Sequence, residues 1–355
     1  MKFKIINNRN FVLFIGLAFI LTLAAYYLGL PHYYLGWLAF CLASFSIIGN
    51  DSIQTLGTFI ESTKSVHWIP KTTVFCLFTF GVVVWGWFFY KGEIHFNRLS
   101  SNGSSFGFPY PQQFNLIQLI VPIILFIFNR LKASISTTFL VLSLFGSNNI
   151  DRMMVKSFLG YGIAFLIGLL VWFVLCKKDM NEYYKLEQPN PPKENAWFVL
   201  QWFSTTILWV SWLYQDVANM AVYIPRQLNT IELVFAMGII CSALLFTFWN
   251  HGGKIQEIVT HKTDTTHLKE ATLIDLVYTA ILFFFGFISK MPMSTTWVFL
   301  GLISGREIIL HLITKRDEPY LDTFQKLTKE AVLAFLGLCI SISIVALSIR
   351  FKHFL

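Results

Sequence analysis

The sequence predicts an all-α polytopic membrane protein. Three observations lead there: 55% of the 355 residues are hydrophobic, only 13% are charged, and the apolar residues come in long continuous runs. A soluble chain of this size needs roughly a quarter of its residues charged to cover its surface. The net charge of +8 comes from Lys and Arg scattered among short polar loops, as the positive-inside rule places them, which argues for no nucleic-acid partner. Cys41, Cys76, Cys176, Cys241 and Cys339 stand singly in apolar runs, without the paired spacing of a disulfide framework or thiolate metal site. His251, His261 and His267 fall in a polar loop without ligand spacing, so no histidine metal site is expected.

The first run, 11–30, follows Lys2, Lys4 and Arg9 and has no clear small-residue cleavage site. It is read as a retained helix with a cytoplasmic N-terminus. Further runs cover 34–48, 72–90, 114–128, 134–145, 157–176, 196–214, 231–249, 273–289, 293–310 and 331–349, giving about 10–12 membrane segments. The runs 134–145 and 293–310 are short or hydroxyl-rich enough for hairpins or broken spans. Lys- and Pro-rich 177–195 reads as a cytoplasmic linker and 251–272 as a second polar connection. The Ser-, Gly- and Pro-containing stretch 91–113 reads as a flexible loop on the opposite side.

Polar groups inside apolar runs carry the functional information, because a carboxylate at membrane depth costs about 2.5–3.5 kcal/mol on insertion scales and rarely persists without a purpose. The chain reads Gly49-Asn50-Asp51-Ser52-Ile53-Gln54 in one place and Gln215-Asp216-Val217-Ala218-Asn219 in another. Both are amide, Asp, two residues, amide. Helical spacing puts Asp51, Gln54, Thr55, Thr58 and Ser62 on one face, and Asp216, Asn219 and Tyr223 on another. Gly49 and Pro225 are placed to break the helices around the two aspartates. Each acidic motif is followed by a Ser-Thr-Thr tripeptide, Ser136-Thr137-Thr138 and Ser294-Thr295-Thr296, in the same order and at a similar interval. Such a repeated pair predicts two homologous halves with a site at their interface near the bilayer midplane. A third copy, Ser204-Thr205-Thr206, has no place in that repeat.

These motifs resemble the inorganic phosphate transporter (PiT) family, with its Gly-Ala-Asn-Asp-x-x-Asn and Pro-x-Ser-Thr-Thr-His signatures in each of two inverted halves; the family also includes sulfate permeases. The resemblance spans roughly 34–310 and includes Gly57, Pro292, Gly301 and Gly305. The chain departs at Gln54 for the third amide, Gln215 for the Asn before Asp, and Phe139 and Trp297 for the two histidines. The longer Gln arms keep a donor and an acceptor but resize an anion pocket. The resemblance implies inverted repeats with broken helices and re-entrant or hairpin Ser-Thr-Thr segments: an additional N-terminal helix in 1–33, a first repeat in 34–176, the 177–195 linker, a second repeat in 196–314, and a C-terminal loop and helix in 315–355.

The function so implied is cation-coupled import of inorganic phosphate by alternating access across the plasma (inner) membrane, with no cofactor and no catalytic residue. Substrate contacts fall to Asn50, Asp51, Gln54, Ser136, Thr137, Thr138, Gln215, Asp216, Asn219, Ser294, Thr295 and Thr296. Asp51 and Asp216 would repel the anion directly, so a coupling sodium or proton is expected on them, with Asn50 and Asn219 completing the site. The bilayer is the other partner, and a homodimer is compatible with the reading. A sulfate or other oxyanion symporter is the alternative; an intramembrane enzyme lacks His, Cys or metal-ligand groups beside the aspartates. Three charges receive structural readings. Glu61 pairs with Lys64, Arg226 is an interfacial anchor or an outer-vestibule anion attractor, and Arg306 with Glu307 ends its segment at the interface.

Overall fold

Backbone N–H and C=O groups in hydrocarbon must be satisfied within the segment, so each continuous apolar run becomes a helix. The computed structural model describes residues 8–99, 107–133, 135–178, 194–253, 256, 268–288, 292–314 and 320–351, which contain helices, two short 3₁₀ turns and no strand. In chain order the helices are α1 (Asn8–Tyr27), α2 (His32–Thr55), α3 (Gly57–Ser62), α4 (Trp68–Phe89), α5 (Leu116–Arg130), α6 (Thr137–Val141) and α7 (Ile150–Lys178). After the linker come α8 (Glu194–Ala221), α9 (Thr230–Trp249), α10 (Leu268–Ile288), α11 (Thr295–Thr314) and α12 (Tyr320–Phe351). Eight of the stretches they form are long and apolar enough to cross a bilayer, which makes the chain a multi-pass membrane protein. Most of the linker 177–195, the loop 257–267 and residues 315–319 lie outside the described residues.

Two expectations about helix breaks are corrected. α2 runs straight through Gly49 and Asp51 and ends only at Leu56, where the backbone turns (φ −115, ψ −9) before α3. A single glycine costs a helix about 1 kcal/mol, which the burial of α2 from Ala43 onward outweighs. The end comes instead where side chains compete for helix carbonyls, Ser52 Oγ donating to Gly49 O and Thr55 Oγ1 to Asp51 O, both 2.8 Å. Likewise 293–310 is no hairpin but the body of the 20-residue helix α11. The run 134–145 does break, into the five-residue α6 and a 3₁₀ turn, and is buried throughout its described part except Leu144 and Phe145, which are half-buried.

α7 packs along α11, α8 along α10, and α2 against α5, α8 and α9. The α7–α11 contact depends on small residues: a Cβ on Gly301 would lie 2.3 Å from Tyr161 O, and one on Gly305 2.2 Å from Phe165 O. Gly305→Val is therefore expected to force the helices apart at a cost of about 1–3 kcal/mol. Thermal unfolding in detergent reads this as a lowered midpoint, and an unchanged midpoint would contradict the packing. α1 is the outlying element, with only Ala18 and Thr22 buried and α5 as its main neighbour.

Candidate functional site

α2 delivers Asn50, Asp51 and Gln54 to the centre of the protein, and α8 delivers Asp216 and Asn219; all five are at most 3% exposed. The two Ser-Thr-Thr segments arrive there as helix starts of the same construction. Ser136 caps α6 by accepting from Phe139 N (3.3 Å), and Ser294 caps α11 by accepting from Trp297 N (3.3 Å). Thr137, Thr138 and Thr295 then face the aspartates. The rings of Phe139 and Trp297, at the two equivalent positions, meet with centroids 6.0 Å apart.

Hydrogen bonds knit the four motifs into one network. Thr137 Oγ1 donates to Asp51 Oδ2 (3.1 Å) and accepts from Asn219 Nδ2 (3.0 Å), which also reaches Asp216 Oδ1 (3.1 Å). Thr138 Oγ1 lies 3.3 Å from Asp216 Oδ1, and Thr295 Oγ1 donates to Asp216 Oδ2 at 2.5 Å. Gln54 Nε2 crosses from the first acidic motif to Thr295 Oγ1 (3.0 Å). Asn50 Nδ2 donates to Asp51 Oδ1 (2.7 Å) and to Ile135 O (2.9 Å), which ties α2 to the residue before Ser136.

The oxygens of these amides have a different fate from their nitrogens. Asn50 Oδ1, Gln54 Oε1 and Asn219 Oδ1 are buried with no hydrogen-bond donor among the described residues. A buried acceptor without a donor costs about 1–3 kcal/mol, and three of them beside two carboxylates make a site rich in lone pairs. Such an oxygen donor set suits a hard cation or a proton.

Not every expected residue joins this site. Gln215 turns away, its Nε2 donating to Leu282 O of α10 (2.8 Å). Tyr223 lies beyond the end of α8 and donates its hydroxyl to Gln118 O (3.0 Å). Ser136 and Ser294 serve as caps, with Ser294 N donating to Ser157 Oγ (2.8 Å), while Thr296 is buried in the first turn of α11. Glu61 pairs with Lys64 as expected. Arg226 is an internal tie rather than a vestibule group, donating to Phe108 O (2.7 Å) and to the carbonyls of Ala221, the last residue of α8, and of Val222 and Ile224 just beyond it. Arg306 does not end its segment: it is 1% exposed within α11 and pairs with both Glu270 and Glu307.

Three features escape the sequence reading. Trp212 Nε1 donates to Asp51 Oδ2 (3.3 Å), with its indole stacked on Trp209. Asp275, fully buried on α10, accepts from Thr58 (2.7 Å), Thr205 (2.5 Å) and Gln201 (3.0 Å), and Gln201 in turn accepts from Thr272 (2.7 Å). The signal for it was present, an acid two residues into the apolar run 273–289, and the unassigned Ser204-Thr205-Thr206 supplies one of its donors. Third, part of 91–113 is packed, with Ile94, Phe96, Arg98 and Leu99 buried against α8 and its surroundings, while the Ser- and Gly-containing 100–106 that suggested a flexible loop lies outside the described residues. Compared with protein-family models, with curated proteins and with solved structures, the chain finds no match in any of the three.

Proposed function

We propose that the chain is a secondary active transporter that carries inorganic phosphate with a coupling cation, sodium or proton, by alternating access in the plasma (inner) membrane. The observation that carries this reading is the pair of buried carboxylates, Asp51 and Asp216, bridged by threonine hydroxyls and surrounded by amide oxygens without donors. Ionisable side chains inside membrane-spanning segments are costly, and a pair of them facing donor-free oxygens points by default to a ligand site. In this reading Asp51 and Asp216 take the cation, with Asn50 and Asn219 contributing oxygens.

The same hydrogen bonds explain how a cation governs an anion. Thr137 and Thr295 each spend a hydroxyl proton on a carboxylate, and Thr138 Oγ1 lies between Met293 O (3.1 Å) and Asp216 Oδ1 (3.3 Å). Once a cation neutralises the carboxylates, those hydroxyls are released to donate to a tetrahedral oxyanion. The N-terminus of the 20-residue α11 adds unpaired N–H groups and a favourable dipole. An anion that meets donors only after the cation has bound cannot load alone, which is the thermodynamic core of symport. Two inverted halves, each with one acidic and one Ser-Thr-Thr motif, would move against each other to expose the site alternately.

The test is radiolabelled phosphate uptake into proteoliposomes, with sodium and proton gradients imposed separately and unlabelled sulfate as competitor. Uptake driven by one gradient and indifferent to sulfate is expected. Competition by sulfate would assign a different oxyanion, in line with the Gln54, Phe139 and Trp297 departures. No oxyanion uptake under either gradient would refute the transport reading.

A further inference from the structure

α1 is fastened to α5 near one end of the protein. Phe14 meets Phe126 edge to face, with ring centroids 5.2 Å apart. Arg130, the last residue of α5, donates from Nη2 to Asn8 Oδ1 (2.6 Å) and sets its guanidinium 5.1 Å from the Phe11 ring. Beside this contact α1, α2, α5 and α9 enclose a cavity of about 470 Å³, within the roughly 300–1,000 Å³ range of ligand sites.

Helix spacing explains how the cavity is built. Phe14, Phe45, Phe126 and Phe246 form its walls. Each stands four residues from a rim residue of its own helix: Asn10 on α1, Gly49 on α2, Arg130 on α5, and Asn250, which caps α9. Four residues are about one turn, so each ring lies on the same face as its rim residue and one turn deeper. The ring follows the rim residue in α1 and precedes it in the other three, because α1 starts at this end of the protein and α2, α5 and α9 run toward it.

The cavity is thus apolar in its depth and polar at one level. That level carries the charge of Arg130 and the amides of Asn10, Asn129 and Asn250, and among the described residues no Asp or Glu lines the cavity. Arg9 and Lys132 adjoin it in sequence, so the positive-inside rule makes this the cytoplasmic end. Phe14 and Trp249 are each nearly half exposed, which opens the cavity sideways to the bilayer. A cationic rim one turn above an aromatic trough has the layout of a phospholipid in that leaflet, phosphate at the guanidinium and acyl chain against the rings. With a cation and no acid at its rim, the site offsets no headgroup ammonium, which favours a headgroup of net negative charge.

We infer that this cavity is a binding site for one anionic glycerophospholipid of the cytoplasmic leaflet, held by its phosphate at Arg130 and by an acyl chain among the four phenylalanines. The site is separate from the Asp51–Asp216 network and does not depend on what that network carries. Through Gly49 it backs onto α2, the helix that bears Asn50 and Asp51.

Native mass spectrometry of the purified, delipidated protein tests it, by titration with phosphatidylglycerol or phosphatidylcholine of the same acyl chains. Wild type is expected to hold one phosphatidylglycerol about fivefold more tightly than phosphatidylcholine, the preference that one basic group confers near a membrane surface. R130K is expected to keep that preference and R130Q to lose it. A Cβ on Gly49 would meet nothing nearer than Asn129 Nδ2 at 3.5 Å, so G49M can extend its side chain into the cavity without moving the backbone. It is expected to lose the tight adduct with either lipid. Should R130Q not purify as a monodisperse protein, G49M decides alone. Equal binding of the two lipids by wild type, or an undiminished phosphatidylglycerol adduct in R130Q or G49M, overturns the inference. So does a wild-type dimer that G49M dissolves, which would make a second copy of this chain the occupant.

Discussion

Asp51→Asn and Asp216→Asn are each expected to lower cation-driven phosphate uptake at least ~100-fold while leaving the protein folded. Asparagine keeps the shape of the side chain and removes its charge. Charged hydrogen bonds are worth about 1.5–3 kcal/mol each, and about 2.8 kcal/mol is a factor of 100. The direction of the stability change separates this from general damage. Two buried carboxylates within one hydrogen-bond network repel each other, so removing one charge is expected to hold or raise the thermal midpoint while transport falls. Uptake retained in both variants, measured with equal protein reconstituted, would sink the coupling role.

Arg306→Met is the substitution expected to cost most stability. Arg306 is the buried cation between Glu270 and Glu307, and its guanidinium also faces the Trp172 ring at 5.9 Å. Methionine fills much of the volume but removes the positive charge that both carboxylates face. Breaking a buried ion pair by removing one partner costs about 3–5 kcal/mol. Removing both sides is milder, so the double variant R306M/E270Q is expected to recover part of the loss. Thermal unfolding in detergent reads both effects, and an R306M midpoint equal to wild type would contradict the arrangement.

How far the sequence was legible follows from what a bilayer demands. Continuous apolar runs have one outcome in hydrocarbon, so the long helices could be read as runs between positions 11 and 349. The central site was legible for a related reason, since Asp51, Asp216, Asn219 and the threonines stand out against apolar neighbours and bind one another in space. Helix ends were less legible. Gly49 looked like a break, but tertiary burial overrides a propensity of about 1 kcal/mol. Arg306 looked like an interfacial end because nothing in its own segment announces Glu270, 36 residues earlier, as its partner. The packed loop around Arg98 was hidden most deeply: its left-handed residues Lys91, Phe96 and Asn97 leave no periodicity to read. Asp275 was missed for the opposite reason, as its partners Thr58, Gln201 and Thr205 come from two other helices and share no motif with it.

The Phe139–Trp297 contact bears on how easily the two Ser-Thr-Thr segments can separate. Two rings held only by dispersion and exclusion of lipid or water have no directional bond to sever. Parting the rings breaks no hydrogen bond of their own, but the two segments are also joined by Thr138 Oγ1 to Met293 O (3.1 Å), which has to be exchanged when they separate. Imidazoles in the same two places would titrate near neutrality, and their contact would loosen or tighten with acidity. Phenyl and indole rings carry no such proton. The contact between these two rings is therefore indifferent to acidity.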